Sequence, residues 1–356
     1  MSWIKRHSSF VLFCSSLIFA FILAELLLRL MGAGYGNSPM ESHPRLHHLH
    51  PPNYSYIVHD PAGEYGGHHI YLDHEGYRVP DPDIEVSTLA PSRKLAFLGD
   101  SFTEGNELAW KDSFIGLIQK ANPSIAVRNF GVSSYSPMQY LAQARKELID
   151  YKPTDVILQL YSNDFDSDWD YLEKANSKNL DELHSINGDG KKMLIALLRH
   201  SYLARLIRKI QLQIDFLIHA PAEPTPFPEE ALYFDEVALK KRQLTYAAVL
   251  KIRHEVNQQG ANFYLMMIPN KGLAMKGQCC QTDRLYQEVA NFAKENKIHM
   301  IGLDKAFEDS KNQRTLFFPR DIHLTKDGNI ELANSISQSL KLNQPAKPDL
   351  LAKPSK

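Results

Sequence analysis

An excess of charge of either sign is missing from this sequence: 40 lysines and arginines stand against 41 aspartates and glutamates, a formal net charge of −1. A nucleic-acid partner needs a basic face, so none is expected. Cysteine is scarce, with Cys14 inside an apolar run and Cys279 and Cys280 adjacent. Neighbouring cysteines rarely bridge each other because of the strain, and there is neither a CxxC pair nor a spaced framework, so disulfides are not expected to hold the fold. No internal repeat is evident, which leaves no basis for a repeat architecture.

Long hydrophobic runs are also few, and the clearest lies near the N-terminus. After Lys5 and Arg6, the stretch Phe10 to Met31 is apolar apart from Glu25 and Arg29. About 20 such residues cross a bilayer, provided that Glu25 and Arg29 lie near the far interface, where long side chains reach the headgroups. Their i,i+4 spacing lets one charge offset the other. The basic pair before the run puts the N-terminus in the cytoplasm and the rest of the chain outside it. A cleaved signal peptide and a secreted product form the alternative, although Ile22 and Ala24 make a mediocre cleavage site.

At 356 residues the chain has room for one sizeable domain with appendages. Residues 1–33 read as a cytoplasmic stub and transmembrane anchor, and 34–93 as an irregular collar rich in Pro, Tyr and His. The collar holds eight histidines between His43 and His74, but they lack the spacing of a helical HExxH or a Cys/His finger, and no metal is expected there. From Lys94 the pattern turns regular. Apolar runs at 94–99, 125–130, 155–161, 262–268 and 298–303 alternate with helical spacing near 111–121, 137–150, 236–259, 282–296 and 327–341. Continuous apolar strands between helices mean a parallel sheet covered on both faces, with ligands beyond the strands' C-terminal ends.

An insertion at about 165–235 interrupts that alternation. Within it Leu203, Ile207, Ile210, Ile214 and Leu217 recur at helical spacing, with Arg205, Arg208 and Lys209 on another face. A basic amphipathic helix of this kind can lie on a membrane or form a lid; the expectation is the commoner arrangement, a helix packed on the core. The tail, 343–356, is rich in Pro and Lys and is expected to be disordered.

Chemistry concentrates at strand ends. KLAFLGDSFTEG places Ser101 just after the first strand, at a turn into a helix, where a hydroxyl is exposed beside unpaired amide N–H groups. A serine nucleophile also needs a base. Gly131 follows the second strand, Asn163 the third, and Asp321 and His323 precede the last helix, so all converge on one sheet edge.

With these blocks the sequence resembles the SGNH/GDSL hydrolase family, over roughly 94–341: GDSFTEG for Ser101, NFG for Gly131, SND for Asn163 and DIH for His323. The resemblance implies an α/β fold, a doubly wound, flavodoxin-like parallel five-stranded sheet with helices on both faces, here behind an N-terminal transmembrane helix. It implies Ser101 as nucleophile, His323 as its base, Asp321 orienting the imidazole, and an oxyanion hole from the N–H groups of Ser101 and Gly131 with the Asn163 amide. No metal or organic cofactor is needed. Two positions depart from the family pattern. DxH replaces DxxH, although i and i+2 in an extended segment still point the same way, and Tyr161 replaces a glycine. Asp100, Glu104 and Asp164 read as supporting or capping residues. The activity implied is hydrolysis of a carboxylic ester, such as an acetyl group on an envelope carbohydrate. Alternatives are transfer of an acyl group to a polysaccharide, or a non-catalytic glycan-binding protein.

Overall fold

The structure, a computed structural model, describes residues 8–31, 39–58, 64–84, 90–188, 201–219, 236–275, 279–308, 315–343 and 345. The tail, much of the insertion and parts of the collar lie outside them. The five apolar runs form five parallel strands: β6 (Arg93–Leu98), β7 (Ile125–Asn129), β8 (Asp155–Leu160), β9 (Asn262–Met267) and β10 (His299–Ile301). Their order across the sheet is β10-β9-β8-β6-β7. Leu95 pairs with Val127 on one side and Asp155 on the other. Every residue of β8 is buried, as a central strand covered on both faces requires.

Because the chain runs outward from β6 to β7 and then returns past β6 to β8, right-handed crossovers put the intervening helices on opposite faces. The first is α3 (Phe114–Ala121), reached from the short α2 (Ser101–Glu104). The second connection carries α4 (Pro137–Ala144) and α5 (Glu147–Tyr151). On the α4 face pack α6 (Asp164–Lys174) and α8 (Glu236–Gln258), and α3 packs against α12 (Lys326–Leu340). Shorter helices α9 (Lys271–Met275), α10 (Arg284–Glu295) and α11 (Asp304–Glu308) complete the C-terminal half. The reversal of strand order beside β6 opens the crevice where ligands bind in doubly wound sheets.

Residues of the collar form more structure than their sequence suggests. An antiparallel pair, β1 (Glu41–His43) and β2 (His47–Leu49), is followed by a three-stranded antiparallel sheet of β3 (Ser55–Val58), β4 (His68–Leu72) and β5 (Arg78–Val79). Tyr56, Val58, Ile70 and Leu72 form a small core of their own, whereas Leu46, Leu49 and Tyr77 are buried in the main one. Arg128 on β7 pairs with Asp73 and Glu75, and Arg45 with Glu147. This segment is therefore a layer of the domain and not a spacer.

The N-terminal run forms one helix, α1 (Ser8–Leu30), long and apolar enough to cross a membrane. The insertion's amphipathic helix, α7 (Tyr202–His219), meets the end of α1, and its Ile207, Ile210 and Ile214 are exposed where packing on the core was expected. Cys279 and Cys280 also depart from expectation, their sulfurs being bonded to each other in a turn where Cys280 has φ 71°.

Candidate active site

Close approach builds the turn after β6. A Cβ on Gly99 would come within 2.1 Å of the Thr103 hydroxyl, so only glycine allows the chain to fold tightly back. The Asp100 carboxylate then accepts the Phe102 N–H at 3.0 Å, capping α2. Ser101 thus occupies the first helical position, where its own N–H has no intrahelical acceptor.

A hydrogen-bonded chain runs from its hydroxyl. Ser101 Oγ lies 2.7 Å from His323 Nε2, and His323 Nδ1 lies 2.5 Å from Asp321 Oδ1. The same carboxylate oxygen accepts the His323 backbone N–H at 2.8 Å, so the i,i+2 spacing is held by two contacts to one atom. Lys271 secures the loop beneath: its ammonium donates to the carbonyls of Phe318, Pro319 and Asp321 at 2.6 to 2.9 Å. From the collar, the Tyr65 hydroxyl donates to Asp321 Oδ2 at 3.3 Å.

A second carboxylate faces the same imidazole. Glu107 Oε1 is 3.3 Å from His323 Nδ1. Burial would lower the pKa of His323, but Glu107, Asp321 and Asp100 outweigh it and lift the imidazole to about 9. Burial pushes Glu107 up to about 7 despite the histidine, whereas Asp321, also raised by burial, is held below the usual carboxylate range by its bonds to His323. Phe102 packs on the imidazole at 4.8 Å between centroids, and Tyr161 on Phe102 at 4.6 Å. Tyr161 therefore backs the ring that packs on the imidazole.

The remaining motif residues divide. Asn163 follows β8 at the start of α6; burial raises the pKa of Asp100, next to Ser101, while the Asn163 amide is among the donors opposing that rise. The Gly131 N–H is taken up by Asn129 Oδ1 at 2.8 Å. A Cβ there would lie 2.5 Å from the Glu104 nitrogen, so this glycine is required first by the close passage of the loop after β7 over α2. Glu104 accepts from His50 Nε2 at 2.7 Å and from the N–H and hydroxyl of Ser133 at 2.5 Å each. Burial would raise its pKa, but these partners hold it at about 2. Arg78 reaches the carbonyls of Glu104, Gly105 and Leu108 at the end of α2. Asp164 accepts the Tyr161 N–H at 2.6 Å and the Tyr140 hydroxyl at 3.3 Å. Among the described residues no three His, Cys, Asp or Glu side chains gather as a metal-ligand set.

Residues 227–353 match the family model described as the SGNH hydrolase-like domain of acetyltransferase AlgX. That span contains the DIH block, and the serine block faces it across 2.7 Å. The C-terminal third of the chain is thus similar to an SGNH hydrolase-like domain. None of the curated proteins matches the sequence as a relative. Among solved structures, similar ones include a catalytic mutant of an acetylxylan esterase from Geobacillus stearothermophilus, at 15% identity and TM-score 0.42, over 73% of this chain and 100% of that one. A GDSL-like lipase from Bacteroides thetaiotaomicron is similar at 13% identity and TM-score 0.37, over 70% and 88%. Beyond the motif residues, the site holds groups that the motifs omit. Glu107, Tyr65 and Lys271 all act on the His323–Asp321 pair, yet none belongs to a signature block. Glu107, six residues beyond Ser101, was the one within reach of sequence reasoning.

Proposed function

We propose that this protein is a serine-dependent enzyme acting on carboxylic esters through an acyl-enzyme. The observation that carries the reading is the continuous chain Ser101–His323–Asp321 at hydrogen-bonding distances. Ser101 Oγ attacks the ester carbonyl as His323 Nε2 takes its proton, and His323 returns that proton to the departing alcohol. Asp321 fixes the tautomer and stabilises the imidazolium. The oxyanion is received by the Ser101 N–H and the Asn163 amide, and Gly131 contributes once its N–H turns from Asn129; each donor is worth ~3 kcal/mol in the transition state. The second half-reaction repeats these steps with water, or a sugar hydroxyl, as the attacking group.

Hydrolysis of acetyl or other acyl esters on an envelope carbohydrate is the first reading. Transfer to a polysaccharide hydroxyl is the second, favoured by the acetyltransferase for which the matching family model is described. A glycan-binding role without catalysis is disfavoured by a hydrogen-bonded nucleophile and base. The length and composition of α1 support a membrane anchor with the catalytic domain on the extracytoplasmic side.

The test is labelling of the full chain with a fluorophosphonate, beside Ser101→Ala. Wild-type labelling that the variant loses supports the nucleophile; equal labelling refutes it. Acetylated oligosaccharides, with and without an acceptor sugar, then separate acetate release from acetyl transfer by mass spectrometry.

A further inference from the structure

A carboxylate near the end of an apolar helix needs a partner, and Glu25 has several. It accepts from Arg29 Nε at 2.7 Å on its own helix. It also accepts from the Ser201 hydroxyl at 2.8 Å and the N–H groups of Tyr202 and Leu203 at 3.0 and 2.9 Å. Those two amides belong to the first turn of α7, which has no intrahelical acceptors for them. Glu25 on α1 therefore caps a different helix. The Arg29 guanidinium adds a contact over the Tyr202 ring at 4.9 Å. Ala24, Glu25 and Leu28 are half-buried, whereas Leu17 to Leu23 are exposed, so among the described residues α7 meets α1 at this end.

The polarity of α7 runs opposite to that of a helix on a soluble domain. Such a helix turns its apolar stripe inward and its charges to water. Here Arg205 faces the domain, its guanidinium donating to the Tyr54 hydroxyl at 3.1 Å. Ile207, Ile210 and Ile214, at spacings that put them on one face, are 53, 46 and 48% exposed.

We propose that α7 lies in the headgroup layer of the bilayer crossed by α1, with Ile207, Ile210 and Ile214 inserted and Glu25 clamping its first turn at the interface. The inference rests on the reading of α1 as a membrane span. An in-plane helix has this composition, an aliphatic face with lysine and arginine elsewhere on the same helix, as Ile207, Ile210 and Ile214 stand against Arg205, Arg208 and Lys209 in the sequence. The clamp makes the surface helix continuous with the span, so the catalytic domain is tied to the membrane at two directions of the chain.

The test uses the full-length protein in vesicles of phosphatidylcholine and phosphatidylglycerol, in a Cys14→Ser background without reductant. Nitroxide labels are placed singly through Leu17→Cys, Ile210→Cys and Lys209→Cys, and their collision rates with oxygen and with a water-soluble nickel chelate are compared. Labels at 17 and 210 are expected to collide with oxygen in preference to nickel, and the label at 209 to show the reverse. A nickel-accessible label at 210 beside a lipid-exposed label at 17 overturns the surface helix while leaving the anchor. A label at 210 shielded from both reagents also overturns it, because protein then covers the face. A nickel-accessible label at 17 refutes the anchor itself.

Discussion

Replacing Glu107 by glutamine removes the strongest of the influences that lift His323 while preserving shape. At the 3.3 Å separation from Nδ1, two unit charges interact by ~1.3 kcal/mol in water and ~5 kcal/mol at an effective dielectric constant of about 20. The rise of the imidazole from 6.5 to about 9 is what Glu107, Asp321 and Asp100 together leave after burial has pulled the other way, and Asp321 and Asp100 remain in the variant. A fall of ~1 to 2 pH units is therefore expected, at ~1.4 kcal/mol each. The sign follows from the role of the base. Only neutral imidazole accepts the Ser101 proton, so kcat/KM rises as pH rises through its pKa. At pH 7 an imidazole of pKa near 9 is ~1% neutral, and one of pKa 7 to 8 is ~10 to 50% neutral, so Glu107→Gln is expected to be faster than wild type at neutral pH, by less than this ~10- to 50-fold change because the transition state loses part of the same stabilisation. Above the wild-type inflection the order reverses, because the lost carboxylate no longer stabilises the imidazolium formed in the transition state. The assay is kcat/KM for p-nitrophenyl acetate across the neutral to alkaline range. A constant ratio between variant and wild type at every pH would refute the assignment of Glu107 to His323.

Other consequences are as open to measurement. His50→Ala leaves the buried Glu104 carboxylate without its charged partner, at a cost of ~3 to 5 kcal/mol read from denaturant midpoints. Burial lowers the pKa of His50 but Glu104 raises it above 6.5 overall, so its contribution is complete below ~6.5 and fades as pH rises through the folded value; that of Glu104, held at about 2, is complete above ~4.3 and fades as pH falls through about 2. The stability gap between wild type and His50→Ala is therefore widest between those limits. Lys271→Met removes the ammonium from three carbonyls of the Asp321 loop and is expected to lower kcat ~10- to 100-fold through misplacement of the triad, with thermal unfolding changed far less. Gly131→Ala sets a methyl against the Glu104 nitrogen and is expected to cost ~1 to 3 kcal/mol in stability by overpacking.

The sheet was legible because a parallel strand buried on both faces leaves an uninterrupted apolar run, and the strands fall within a residue or so of those runs. The shortest, β10, begins a residue later and ends two earlier than its run, being an edge strand. Asp321 and His323 lie two residues apart and Ser101 directly follows a strand, so each could be placed at an element end from local sequence, although 222 residues separate the serine from the histidine it meets. The collar was not: its strands are two to five residues long, and histidine and tyrosine there obscure any alternation. His50, Tyr65 and Arg78 act over sequence separations of 54, 256 and 26 residues, and no local pattern records a contact of that kind. Gly131 was read for its N–H alone, whereas the structure adds a steric reason, the closeness of two backbones. The amphipathic pattern of α7 identified a helix correctly but not the direction of its apolar face, which depends on what lies beside it.

The burial of His50 and Arg78 against α2 has a consequence for biosynthesis. These residues leave the ribosome before the helix they brace, and Tyr65 waits for Asp321, 256 residues later. A nascent chain therefore holds Ser101 without its histidine, and a product truncated before Asp321 lacks both partners of the hydrogen-bonded chain. Catalytic competence arrives as the final act of assembly, when the earliest and latest parts of the domain close over the same few atoms.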